Sequence, residues 1–324
     1  MTKLVKQRTR TASRRERSGI PQRLEHLLQK AHQLPPLRTA VVQPVDPVSL
    51  RGAIEAARAG LIIPTLIGPE HRLRSAARSA HLDLTGYTVT PTEHSHGAAA
   101  RAVELARRGE VDAIMKGALH TDELMHYVVD PENGLRTERR VSHVFVIDLL
   151  RYPRLLFITD AAVNIYPSLE DKRDITQNAI DLAHAVGVRR PRVAILSAVE
   201  LVTARIRSTL DAAALCKMAD RGQITGGVLD GPLAFDNAVS RRAAATKSIV
   251  SPVAGRADII VVPDIEAGNM LAKQLEYLAG ARLAGIVLGA RVPIMLTSRA
   301  DDARTRLASC ALASLLVSRR TAPT

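Results

Sequence analysis

Tryptophan is absent from the sequence, and aromatic residues of every kind make up only 2% of its 324 residues. A chain this poor in aromatics offers no stacking platform for the bases of a single-stranded nucleic acid. Its interior has to be built from Ala, Val, Ile and Leu, which favours helices packed on a Val/Ile-rich sheet. Cysteine is nearly absent too: Cys216 and Cys310 are the only two. Each stands among apolar residues at helical spacing, as expected of buried, reduced thiols in a cytoplasmic protein, and no Cys/His spacing suits a metal. No stretch approaches the ~18 uninterrupted apolar residues of a membrane span, and the first residues lack the apolar region of a secretory signal. Neither a GxxxxGK[ST] loop nor a GxGxxG turn between strand and helix occurs, so the familiar nucleotide fingerprints are missing.

What is abundant is positive charge, a net +13. Within residues 1–20, Lys3, Lys6, Arg8, Arg10, Arg14, Arg15 and Arg17 face only Glu16, so seven positive charges against one negative leave +6 of that total. This arm has no apolar periodicity and is expected to be disordered, as a solvated tail, a transit peptide or a nucleic-acid arm. The remaining length suits two domains of ordinary size.

Along that remainder, strand-like runs at 39–43, 61–68, 111–117, 155–160, 192–197, 226–230, 258–264 and 283–289 alternate with helical runs at 47–59, 70–80, 96–108, 171–186, 209–221 and 266–279. In the fourth helical run Ile175, Ala179, Leu182, Ala183 and Val186 form one apolar face. Such alternation predicts an α/β fold with a mainly parallel sheet and helices on both faces. The loop "DPENG" at 130–134 suggests a domain boundary soon after it.

Polar residues collect where these strands should end. Lys116, His120 and Thr121 follow one; Asp160 and Asn164 another; Asp230, Asp236 and Asn237 a third; Asp264 and Asn269 a fourth; Ser298, Arg299 and Asp301 a fifth. Parallel sheets bind ligands outside the carboxyl ends of their strands, so these groups are expected to share one edge as a substrate cleft. Each single Asp has a competing role, capping the helix that follows it.

The runs "MKGALHTDEL", "GLRTERRVSHVFV", "ITDAAVNIYPSLEDKRDITQNAIDLA", "KMADRGQITGGVLDGPLAFDNAVS", "SPVAGRADIIVVPDIEAGNMLAKQL" and "VPIMLTSRADD" together resemble the phosphate acetyltransferase and phosphate butyryltransferase family, from about Leu37 onward. The likeness is greatest to the acyltransferase half of proteins that also carry an enoyl-CoA hydratase domain. It implies reversible transfer of an acetyl, propionyl or butyryl group between coenzyme A and inorganic phosphate, by direct attack in a ternary complex. It implies no further cofactor and no metal, and suggests a cytoplasmic homodimer. The implied fold is the two-domain type of isocitrate and isopropylmalate dehydrogenases, with a cleft between the domains. Its expected divisions are an arm at 1–20, a first domain at 21–140 completed by 289–324, and an inserted second domain at 141–288.

On that resemblance the catalytic residues are Ser298, Arg299 and Asp301, and the substrate contacts are Lys116, His120, Thr121, Arg136, His143, Asp160, Asn164, Asp264 and Asn269. The chemistry suits the types. A guanidinium such as that of Arg299 stays charged and binds phosphate through a planar fork. Ser298 can donate to an oxyanion or a thiolate, and Asp301 or Asp302 can take a proton. Acetyl members place their proposed catalytic Asp further along, where this sequence has residues 304–306, and an acidic residue there can equally cap a helix. Two other readings stand beside this one. A metal- and NAD(P)-dependent 2-hydroxyacid oxidative decarboxylase of the same fold would use Asp230, Asp236 and Asp264 around a divalent ion. A non-catalytic binding protein would leave "SRAD" without a purpose.

Overall fold

The computed structural model describes residues 22–296 and 303–321. In chain order its elements are α1 (Arg23–Ala31), β1 (Leu37–Val42), α2 (Pro47–Arg58), β2 (Ile62–Gly68), α3 (Glu70–Ala80), β3 (Thr88–Pro91), α4 (Ser95–Arg107), β4 (Ala113–Lys116), α5 (Thr121–Val128), β5 (Ser142–Asp148), β6 (Leu156–Thr159), α6 (Leu169–Ala185), β7 (Arg192–Leu196), α7 (Arg207–Asp220), β8 (Val228–Leu233), α8 (Phe235–Val239), α9 (Arg241–Thr246), β9 (Ile259–Val261), α10 (Ile265–Ala279), β10 (Arg282–Leu288), β11 (Ile294–Met295) and α11 (Ala303–Thr321). The basic arm at 1–20 lies outside the described residues, as do Ser298, Arg299, Asp301 and Asp302.

Local chemistry sets the element ends. The Asp46 side chain accepts from the amides of Val48 and Ser49, with Pro47 at the first helical position, and so starts α2. Ser168 and Asp171 form a reciprocal capping box on α6. Gly280, at φ +63, ends α10 in the left-handed conformation that glycine adopts without penalty. Helix α1, which lies ahead of the anticipated strands, is held from far away: the buried Asp148 carboxylate at the end of β5 accepts from the Arg23 guanidinium at 2.6 Å and from the Leu24 amide at 3.1 Å.

The eleven strands of the described residues join one sheet in the order β3-β2-β1-β4-β11-β10-β5-β6-β9-β7-β8. Seven of its pairings are parallel and three antiparallel. The antiparallel ones are β11 with β10, β10 with β5, and β5 with β6. They reverse the chain in the middle of the sheet. Strands β1 to β4, β11 and β5 run one way, while β10, β6, β9, β7 and β8 run the other. This corrects the expectation of one shared edge: the end of β4, with Lys116, and the ends of β6 and β9, with Asp160 and Asp264, cannot lie on the same side.

Burial locates the cleft instead. One face carries a continuous apolar core, from Leu37 and Leu66 through Ile286 and Val144 to Val193 and Ile259, covered by α1, α2, α3, α6, α7 and α11. On the opposite face the core is split in two. One cluster gathers residues between Ala40 and Val141 with Val287, Ile294 and Leu296; the other gathers residues between Ile147 and Leu283. Between them the middle of β10 and β5 lies open. Cys310 is fully buried in α11, and burial pushes the Cys216 and Cys310 thiols up to about 12, so neither is a nucleophile at neutral pH.

Candidate active site

The opening between the two clusters is a cavity of about 430 Å³. Its floor is a row across four strands. Met115 pairs with Met295 and Met295 with Ile286, so the next row brings together Lys116, Leu296, Gly285 and, opposite Gly285, Phe145. His143 stands two residues before Phe145 on the same face, and His120, Thr121 and Leu119 flank Lys116. Asn269, Lys273 and Glu276, at one-turn spacing along α10, form the far wall with Ala162. Leu296 and Thr305, on either side of residues 297–302, both line this cavity.

The cation at one end is fixed by the backbone. Lys116 is buried, and its Nζ donates to the carbonyls of Leu119 at 2.9 Å and Gly117 at 3.3 Å. Gly117 is required at that corner because a Cβ would stand 2.4 Å from the Val42 carbonyl oxygen. Nearer the middle, the His143 ring packs edge-on against Phe145, with ring centroids 4.4 Å apart. Its Nδ1 is buried with no hydrogen-bond partner among the described residues. A buried polar atom left unpaired by the protein is expected to find its partner in a ligand or water.

Burial pushes the His143 imidazole down to about 3 from its ordinary 6.5, so the ring is neutral at any working pH. The unfolded chain takes up this proton near pH 6.5 and the folded chain only near 3, so stability falls as the pH is lowered through that window. The expected slope approaches about 1.4 kcal/mol per pH unit. Urea unfolding of wild type and His143→Gln across this range should show the variant with the shallower dependence; equal slopes would mean that the ring titrates in the fold.

Of the other expected contacts, Asn269 lines the cavity and also donates from Nδ2 to the Ala161 carbonyl at 3.1 Å, tying α10 to the loop after β6. Asp160 and Asn164 lie buried beneath that loop. The Asp160 carboxylate accepts from the amides of Ala162, Val163 and Asn164 and from Asn164 Nδ2, and burial pushes its pKa up against those donors. Asn164 in turn accepts from Arg140 Nε at 2.7 Å. These two hold the loop's shape and do not line the cavity. Asp264 caps α10 through the Ala267 amide at 2.9 Å and borders a separate, smaller cavity beside Lys172 and Asp211, which form a buried ion pair at 2.6 Å. Arg136 is exposed, bridged through its backbone to Ala290, and does not line the cavity.

The carboxylates cast for a divalent ion do not converge. Asp230 turns to the amide of Gly231 beside it, Asp236 is exposed 4.0 Å from Lys247, and Asp264 is a helix cap. Among the described residues no group of three or more His, Cys, Asp or Glu could hold a metal. Residues that the sequence reading passed over are Phe145, Gly285, Lys273 and Glu276. The alternation of "SHVFVID" pointed to the first, and the spacing of Asn269, Lys273 and Glu276 to the last two.

A phosphate acetyl/butaryl transferase family model matches residues 93–314. A phosphate acetyltransferase of Rhizobium meliloti is 61% identical over 302 residues, covering 93% of this chain and 96% of that protein. A phosphate butyryltransferase of Clostridium beijerinckii is 41% identical, covering 91% and 98%. The crystal structure of a branched-chain phosphotransacylase from Enterococcus faecalis V583 superposes with a TM-score of 0.75 at 26% identity, covering 86% of this chain and 99% of that one.

Proposed function

This chain belongs to the phosphate acetyl/butyryl transferase family and transfers an acyl group between coenzyme A and phosphate, and we propose that it does so in the cavity floored by Lys116, Leu296, Gly285 and Phe145. The observation that carries this is the shared wall. Leu296 and Thr305, which flank in sequence the interval that holds the family-matched Ser298, Arg299 and Asp301, line the same cavity as Lys116, His120, Thr121 and His143.

In this reading a phosphate oxygen attacks the thioester carbonyl carbon, the carbonyl oxygen becomes an oxyanion, and collapse expels the coenzyme A thiolate, which takes up a proton. Lys116 and Arg299 hold the phosphate against its own charge repulsion with the oxyanion. Ser298 donates to the oxyanion or the departing sulfur. The ring of His143, neutral, donates or accepts one hydrogen bond but supplies no charge. Asp301 is the candidate base. Direct attack requires no acyl-enzyme, and both cysteines are protonated and buried or half-buried.

The proposed domains, 21–140 with 289–324 against 141–288, are supported by the split core on the cleft face, whose two clusters fall on either side of that division except at Val141 and Val287. A homodimer is supported by α10. Only its Gly268 and Ala272 are buried, while Met270, Tyr277 and Leu278 stand 59%, 66% and 85% exposed, an apolar stripe that a second copy would cover.

The test is direct. Purified protein mixed with acetyl, propionyl or butyryl phosphate and coenzyme A should form thioester, followed by its absorbance, with neither metal nor nicotinamide added. Activity that disappears with a chelator, or that needs a nicotinamide cofactor, would overturn the reading.

A further inference from the structure

We infer that Phe145, the last residue of the cavity floor counted from Lys116, limits acyl-chain length, admitting acetyl, propionyl and butyryl groups and turning away hexanoyl and longer ones. This rests on the cavity being the acyl-transfer site.

The floor has a polar and an apolar end. Lys116, His120 and Thr121 stand at β4, where phosphate and carbonyl oxygens find their donors. An acyl tail has no favourable partner there and must extend away from the cation, along the row toward β5. The first residue it passes is Leu296 and the next is Gly285. A Cβ on Gly285 would stand 2.9 Å from both His143 Nε2 and the Leu296 carbonyl oxygen and 3.5 Å from Phe145 Cε1. Glycine therefore lets the floor dip between Leu296 and the aromatic pair, as a strand glycine does where another group approaches closely. Beyond that dip stands Phe145.

The ring is held there. Phe145 packs against the apolar cluster that includes Leu283 and Ala161, and the His143 ring meets it at 77°. Neighbouring strands lie about 4.8 Å apart, so the positions from Lys116 to Phe145 span roughly 14 Å of backbone. The part left over beyond the phosphate and carbonyl is short. An unaccommodated methylene in such a pocket changes kcat/KM by about 10- to 200-fold.

The experiment measures kcat/KM for acetyl, butyryl and hexanoyl phosphate with coenzyme A in wild type, Phe145→Ala and Phe145→Leu. The hexanoyl-to-acetyl ratio should rise by about tenfold or more in Phe145→Ala and by an intermediate factor in Phe145→Leu. That ratio is internal to each variant, so a general loss of rate does not disguise it. Phe145→Leu keeps an apolar side chain against the cluster and serves if the alanine variant does not fold. Wild-type ratios in the folded variants would overturn the assignment of Phe145 while leaving the acyl-transfer reading standing. A wild-type protein that forms no thioester from any acyl phosphate would instead overturn that reading, and the chain-length wall with it.

Discussion

Ser298→Ala should keep its fold and lose turnover by on the order of 10²-fold, with Michaelis constants little changed. The hydroxyl is proposed to matter when charge develops on the carbonyl oxygen or on sulfur. A donor used only at that moment lowers the barrier without tightening the ground state, and its removal appears in kcat. Steady-state kinetics in the thioester-forming direction check this, with thermal melts as the control. Near-normal turnover would mean that "TSRAD" is a structural turn; unfolding would mean that Ser298 belongs to the core.

Lys116→Met should lower kcat/KM for acyl phosphate by roughly 10- to 150-fold, equivalent to losing one charged hydrogen bond of about 1.5–3 kcal/mol. The loss should appear mainly in the Michaelis constant, because a phosphate needs its cation in the ground state as well as in the transition state. Methionine preserves the length of the stem, so the packing of β4 is kept. Of the two carbonyls that now receive the ammonium, those of Gly117 and Leu119, the second belongs to a residue that lines the cavity, where water can replace the ammonium. Titration of initial rate against acyl phosphate concentration separates the two parameters. A variant with unchanged affinity would assign Lys116 to holding the β4 corner and nothing more.

Periodicity placed most of the elements to within a residue or two. Pro47–Arg58, Glu70–Ala80 and Arg192–Leu196 were legible because each signal is local: a cap, an amphipathic stripe, a short β-branched run between breakers. Helix α1 was not, and strand β5 was passed over although its own run "SHVFVID" signals it. The first is anchored by Asp148, 125 positions away from Arg23, and a carboxylate at a strand end does not announce which distant helix it caps. The strand ends divided in the same way: Asp264 proved to be a cap and Asp160 a buried brace, both ordinary uses of an Asp after a strand, while Lys116 and Asn269 reached the cavity.

The sequence by itself determined the α/β class, the apolar sheet, the burial of Cys310, with Cys216 only half-buried, and, through long motifs, the family and its chemistry. These follow from residue type and from spacing within a single element. The tertiary structure decided where the site lies. Whether β10 runs with or against β5 is settled by hydrogen bonds between segments more than a hundred residues apart, and the reversals there and at the shorter β11–β10 and β5–β6 connections divide the strand ends between two edges. The same pairings, one register at a time, draw Lys116, Leu296, Gly285 and Phe145 from four strands into one row. A shift of a single residue in any of them would turn the side chain to the other face of the sheet, because side chains alternate faces along a strand.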